Sequence, residues 1–185
     1  DDWVISGTSF GIMSHIPGKT ASTGLYYVVS KLLDGSGKIK EMVARAKELG
    51  MDSLAITDHG VMYGVIDFYK KAKEAGIKPI IGCEAYVAPD SRFEKELSAR
   101  EDRYNHLVLL AENDKGYANL MKLISRGFTE GFYYKPRIDK ELLEQYHEGI
   151  ICCSACLGGE LAQKVMAGLR KGNVESESER FKEAE

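Results

Sequence analysis

The sequence lacks most of the features that would place it in a specialised class, and each absence excludes something. No apolar run approaches the roughly 20 residues that a membrane-spanning helix needs, so the chain does not read as a transmembrane protein. Residues 1–35 lack a basic start followed by an apolar block, the pattern of a secretory signal peptide. No charge sign dominates: 25 Lys and Arg face 28 Asp and Glu, for a formal net charge of −3. That excludes a strongly basic surface wrapping nucleic acid and leaves room only for a local basic patch. An anionic substrate would be held by a metal or a few placed groups rather than by bulk charge. Cysteine is scarce, with four in 185 residues, and Cys152, Cys153 and Cys156 crowd together while Cys83 stands apart. Such spacing does not suit a disulfide framework, and reduced thiols in a cytosolic protein fit better. No low-complexity segment and no strict repeat is present.

What is present is a globular balance, 44% hydrophobic and 29% charged, in a length that suits one domain. The chain does not begin with Met and ends in a charged, helix-prone stretch from Glu175 to Glu185, so both ends read as cuts through a longer chain.

Residues 1–24 show no clean period. Ile5, Phe10, Ile12, Met13 and Ile16 fit one short strand or helical turn, and residues 26–29 are β-prone. The pattern sharpens after Asp34. Ser36 suits a helix N-cap. Ile39, Met42, Val43, Ala46 and Leu49 follow at helical spacing, and Gly50 is a natural stop. A buried strand over 53–57 leads into Asp58-His59-Gly60. A second helix, about 63–75, puts Val65, Phe68, Tyr69 and Ala72 on one face and stops at Gly76. A second buried strand, 79–87, carries Glu84. The two units rhyme as helix, glycine stop, apolar residue and strand. This β/α alternation predicts a mostly parallel sheet or barrel.

Further on, residues 89–104 read as a loop or surface helix and 106–111 as a strand. Residues 117–124 read as a helix with Leu120, Met121 and Ile124 inward. An aromatic loop spans 127–138, with Phe132, Tyr133 and Tyr134 as packing elements rather than a base-stacking platform. Asp139 caps a helix running to Tyr146 and faced by Leu142, Leu143 and Tyr146. A buried strand over 149–153, a turn over 154–159 and a helix over 160–169 close the pattern.

Active sites in such folds gather at the carboxyl ends of strands. One face would therefore collect Asp34, His59, Glu84 and Cys156. Imidazole, carboxylate and thiolate together are metal-ligand chemistry, and a carboxylate-rich set suits a hydrolytic centre. His106 opens its strand, so simple alternation puts it at the wrong end; either that strand starts nearer Arg103 or His106 lies outside the site. Plainer readings stand beside these. Asp58-His59-Gly60 is also an ordinary turn, Asp34 a cap, Cys156 a small buried residue, and Cys152 and Cys153 core. His15 and His147 read as surface histidines. Glu84 inside an apolar strand demands a partner in any reading.

Five ordered blocks carry a resemblance. Leu54-Ala55-Ile56-Thr57-Asp58-His59-Gly60-Val61-Met62-Tyr63-Gly64 closely resembles the second motif of the polymerase-and-histidinol-phosphatase (PHP) domain. The version it resembles stands at the amino terminus of bacterial replicative DNA polymerase III alpha subunits. Ile80-Ile81-Gly82-Cys83-Glu84-Ala85-Tyr86-Val87 is similar to the next motif, and His106-Leu107-Val108-Leu109-Leu110-Ala111 to the third. Tyr133-Tyr134-Lys135-Pro136-Arg137-Ile138-Asp139 and Ser154-Ala155-Cys156-Leu157-Gly158-Gly159-Glu160 are similar to further segments. The resemblance covers about residues 32–170.

The resemblance implies an α/β fold, a distorted (βα)7 TIM-like barrel of the PHP type, truncated here at its C-terminal end. It divides the chain into a divergent segment, 1–31, and an incomplete PHP domain, 32–185. It implies Asp34, His59, Glu84, His106 and Cys156 as metal ligands, for zinc or manganese. It implies a parent DNA polymerase in the cytoplasm that meets DNA, and a proofreading exonuclease and other replicase subunits as partners. Leu25 and Tyr27 stand where the family has a His-x-His pair, and the family's closing Asp-x-His motif is not found. Metal binding is therefore expected to be weak or absent, 3′→5′ exonuclease action lost, and the role that of a scaffold. An open barrel edge would invite self-association. A stand-alone PHP phosphoesterase and a pure protein-binding module are the alternatives.

Overall fold

The computed structural model describes residues 3–5, 10–11, 13–15, 39–95 and 104–170. The expectations at residues 26–29, Asp34 and Ser36 lie outside the described residues. In chain order the elements are β1 (Trp3–Ile5), β2 (Phe10–Gly11), β3 (Met13–His15), α1 (Ile39–Glu48), β4 (Ser53–His59), α2 (Val65–Glu74), β5 (Lys78–Val87), β6 (Asn105–Ala111), α3 (Asp114–Thr129), β7 (Arg137–Ile138), α4 (Lys140–Tyr146), β8 (Ile150–Cys153) and α5 (Glu160–Arg170). The fold is mixed α/β. The strands form one sheet in the order β1-β3-β4-β5-β6-β8, with β2 beside β4 and β7 beside β5. No helix among the described residues is long and apolar enough to cross a membrane.

The repeated unit is built as its sequence suggests. α1 buries Met42, Val43 and Ala46, and α2 buries Val65, Phe68 and Ala72. Each helix is closed by a glycine in the left-handed region, Gly50 at φ 75° and Gly76 at φ 73°. The amides of Met51 and Ile77 reach back to the carbonyls of Ala46 and Ala72, at 3.0 and 2.9 Å. These are the same helix-ending turn used twice, and each feeds an apolar residue into the next strand. Tyr69 and Met121, expected to face inward, are 46% and 41% exposed. Both lie at the margin of their helix's apolar stripe, where the neighbours already fill the core.

The sheet is not mostly parallel. β4 and β7 run parallel to β5, while β1–β3, β2–β4, β3–β4, β5–β6 and β6–β8 pair antiparallel. Along β4-β5-β6-β8, β6 is the one reversed strand. α2 supplies the crossover that a parallel β4–β5 pair requires. Between β5 and β6 the described residues 88–95 hold no helix, and the chain returns alongside β5 instead.

One face of the sheet is thickly covered. Phe68, Leu54, Leu109, Leu120 and Leu123 are fully buried in two adjoining cores between the sheet and helices α1 to α4. The other face carries a thinner cluster of Ala55, Val108 and Leu110, with Ile80, Cys153 and Ala155 against it. The candidate site lies on this thinner side. α3 is longer than its apolar period suggests, because Asn113 caps it by accepting from the Gly116 amide at 3.0 Å. Its last turns absorb Gly127, where a Cβ would sit 3.3 Å from Ile138.

Two further corrections concern burial. β8 was expected to be a buried strand with Cys152 and Cys153 in the core. It is paired on one side, to β6, among the described residues. Ile151 is 48% exposed, Cys152 is exposed and Cys153 is half-buried. Arg92, in a stretch expected to be surface, is buried. Its guanidinium reaches both carboxylate oxygens of Asp139 at 3.0 Å, Glu141 at 2.9 Å and Glu130 at 2.7 Å. Arg137 is fully buried beside it and donates to the carbonyls of Gly131, Arg92 and Glu94. Together they clamp the segment after β5 onto β7 and the start of α4.

Candidate metal centre

The register of three strands brings the site together. β4 ends in His59, which lies opposite Glu84, and Tyr86 lies opposite His106. Side chains two apart on a strand share a face, so His59, Glu84, Tyr86 and His106 rise from the same side. His106 joins them because β6 runs backwards: the residue that opens β6 stands at the carboxyl end of β5. Alternation placed it at the wrong end only because it took every strand to point the same way. An earlier strand start is not needed, since β6 begins at Asn105.

Glu84 is the hub. Its Oε1 lies 2.8 Å from His106 Nδ1 and 3.3 Å from His59 Nε2. The donor atoms of the three residues all lie within 4.8 Å of one another. The two imidazoles meet edge to face with centroids 5.3 Å apart. Glu84 is 3% exposed. Burial alone would raise its carboxyl, but hydrogen bonds from His106 and His59, with the charge of both rings, outweigh it and hold it down at about 2. A carboxylate kept ionised between two imidazoles is a metal-type donor set.

Cys156 approaches from the turn between β8 and α5. Its Sγ lies 3.7 Å from His106 Nδ1 and receives the Gly158 amide at 3.3 Å. The turn is fixed to β6, since the Gly158 carbonyl accepts from the His106 amide at 2.9 Å. Ala155, just before the cysteine, has φ 61°, a strained conformation of the kind that clusters at sites. A Cys-His-Glu nucleophilic relay would use opposite nitrogens of the imidazole. Here Glu84 and Cys156 both face Nδ1, so the arrangement converges donors on one point instead of relaying a proton.

Of the five residues singled out from sequence, His59, Glu84 and His106 meet, Cys156 stands beside them, and Asp34 lies outside the described residues. Asp58 points to the other side of the sheet. Its Oδ2 accepts the Gly64 amide at 3.1 Å, just ahead of α2, and burial raises its carboxyl. Cys83 is core: its thiol donates to the Asp58 carbonyl at 3.2 Å, and burial pushes it far up. His147 is exposed. Sequence reasoning missed the aromatic wall of the site, Tyr86 and Tyr104, whose rings are 4.7 Å apart. Gly60 carried a usable signal for it. At φ 68°, a Cβ there would lie 2.8 Å from the Tyr86 ring, so the glycine after His59 lets that wall close.

Comparison with known proteins places this geometry in context. Residues 29–185 match the family model described as PHP domain. The chain is 52% identical over 135 residues to the DNA polymerase III subunit alpha of Chlamydia pneumoniae, covering 73% of this chain and 11% of that protein. It is 48% identical over 151 residues to the corresponding subunit of Treponema pallidum, covering 82% of this chain and 13% of that one. With the subunit from Helicobacter pylori strain 26695 it shares 54% identity over 131 residues, 70% of this chain and 10% of that one. The chain thus spans roughly a tenth of the length of these relatives.

Proposed function

The chain belongs to the PHP domain family, and on that footing we propose that it works as the PHP portion of a bacterial replicative DNA polymerase III alpha subunit. In this reading residues 32–185 are an incomplete domain of the distorted (βα)7 barrel type, and 1–31 depart from the family pattern. The site binds one divalent ion, zinc or manganese, through His59, Glu84 and His106, with Cys156 and Asp34 as further ligands. The donor set supports this: two imidazoles and a carboxylate held ionised, with a sulfur beside them. In a full PHP centre such an ion activates water toward a phosphodiester. Here Glu84 orients both imidazoles and stays charged, while Leu25 and Tyr27 offer no ligand where the family has its histidine pair. The binding is therefore weak and the domain acts chiefly as a scaffold, in the cytoplasm, for the proofreading exonuclease and the rest of the replicase.

The observation that carries this reading is the meeting of His59, Glu84 and His106 on one face of a chain about half identical to polymerase III alpha subunits. Zinc and manganese titration, followed by elemental analysis after dialysis, tests it. At most one ion per chain is expected, lost in His59→Ala and Glu84→Ala, with no nuclease action on single-stranded DNA. Metal-dependent nuclease activity that those two substitutions abolish would overturn the scaffold role. Pull-down of the proofreading subunit by the chain tests the partner.

A further inference from the structure

The two cores on the thickly covered face meet along an open seam. α2 packs on one core and α3 on the other, and the half-buried Met62 and Ile81 border both. β4 runs parallel to β5 and β6 antiparallel to it. The helices that turn back from β4 and β6 therefore run in opposite directions, and a groove is left between them. One wall is Tyr63, Ile66 and Tyr69, which are 82%, 57% and 46% exposed. The other is Tyr117, Met121 and Phe128, the last two 41% and 36% exposed. Two hollows lie along the groove, of about 370 Å³ beside Tyr69 and Tyr117 and about 450 Å³ beside Tyr63 and Phe128. From Tyr117 to Phe128 the α3 wall is roughly 17 Å long at the helical rise per residue. Exposed apolar groups gathered in this way mark an interaction site. The groove faces away from the His59–Glu84–His106 group, because Ile81 and Glu84 lie on opposite faces of β5.

The two ends of the groove differ in charge. Beside Tyr117, Glu112 and Asp114 line the α3 side, and neither carboxylate has a partner among the described residues. On the α2 side of the same end, the Lys73 ammonium stands 5.8 Å from the centroid of the Tyr69 ring. The hollow at the other end has no charged residue in its lining. A third helix laid between two opposed helices fills such a space ridge into groove, with apolar anchors one and two turns apart. The charges then set its direction, because only one end of the groove answers a charged residue. We infer that the groove between α2 and α3 receives an amphipathic helix of another protein. Its apolar stripe fills the two hollows, and at one end a basic residue meets Glu112 and Asp114 while an acidic one meets Lys73. The inference rests on the shape and charge of the groove and needs neither a metal nor the scaffold role.

The test is fluorescence anisotropy of a labelled peptide of about 14 residues, roughly 20 Å long as a helix. It carries leucine at helical spacing on one face. Its last turn has arginine on the flank that meets α3 and glutamate on the flank that meets α2. A control peptide has those two charges exchanged. The first peptide is expected to bind about tenfold more tightly than the control, because two attractions at the rim become two repulsions. Ile66→Lys and Met121→Lys each weaken it about tenfold or more, since each puts a charge where an apolar anchor sits. Both side chains are largely in water in the free chain, and circular dichroism checks that each variant is folded. Glu112→Lys removes the preference between the two peptides. No binding by the unmodified chain, equal affinity for the two peptides, or binding untouched by Ile66→Lys and Met121→Lys overturns the inference. So does sedimentation velocity showing a dimer that Ile66→Lys and Met121→Lys dissociate and Ile151→Lys does not, because the groove then belongs to a second copy. Capture of the proofreading subunit is read separately. A peptide site without that capture sinks the scaffold reading alone, and capture without a peptide site sinks this one alone.

Discussion

Glu84 concentrates the electrostatics of the molecule in one residue. Its ordinary carboxyl value of 4.5 falls to about 2 in the folded chain. A carboxylate with a depressed folded value stabilises the fold fully above its unfolded value and loses that contribution as pH falls through the folded one. The window is therefore about pH 4.5 down to 2, and the amount is at most about 3 kcal/mol. Urea unfolding of the metal-free chain should show stability falling across the upper part of that window, and Glu84→Gln should flatten the slope there. An equal slope in both proteins would mean that Glu84 is not held by the imidazoles. Gly60 makes the second residue-scale case. Gly76 shares its left-handed φ but has nothing within 4 Å of an added Cβ, whereas at Gly60 the Tyr86 ring is 2.8 Å away. Gly76→Ala should cost about 1–2 kcal/mol for the backbone alone. Gly60→Ala should cost about 2–4 kcal/mol, because crowding adds to it. The difference between their urea midpoints measures the closeness of the aromatic wall.

At the scale of elements, the clamp around Arg92 joins the segment after β5 to α4. Asp139 serves two masters, accepting from the Leu142 amide at 3.0 Å as the cap of α4 and meeting Arg92 with both oxygens. Removing one partner of a buried ion pair strands the other, so Arg92→Ala should lose about 3–5 kcal/mol by denaturant unfolding. Adding Asp139→Asn should recover part of the loss, since an asparagine still caps a helix and carries no buried charge. No recovery in the double variant would show that Asp139 matters chiefly to the cap. The same scale explains what could be read in advance. From α1 to β5 helical spacing, glycine stops and apolar runs agree, and those elements stand where their residues say. β6 did not reveal its direction, because an apolar run over residues 106–111 reads alike both ways. His59 and Glu84 were legible as strand-end groups, but His106 became a neighbour only through that reversal.

At the scale of the whole molecule, the exposed apolar side chains of the described residues fall in several groups, and one of them lies at β8 and α5. β8 is paired on one side among the described residues, with Ile151 48% exposed. Beyond it Leu157 is 78% exposed, and Leu161 and Met166 of α5 are 44% and 41% exposed. An apolar strand with a free edge is a template for pairing with another strand, and clustered exposed apolar groups strengthen the tendency. The chain taken alone should therefore self-associate with rising concentration through this end, as sedimentation velocity would show. Ile151→Lys places a charge on the edge strand, the device by which natural edges avoid pairing. It should return the chain to monomer while leaving thermal stability nearly unchanged, because the side chain is half in water already. Association that persists in Ile151→Lys would move the contact elsewhere, to the exposed Tyr63 and Ile66 at the start of α2.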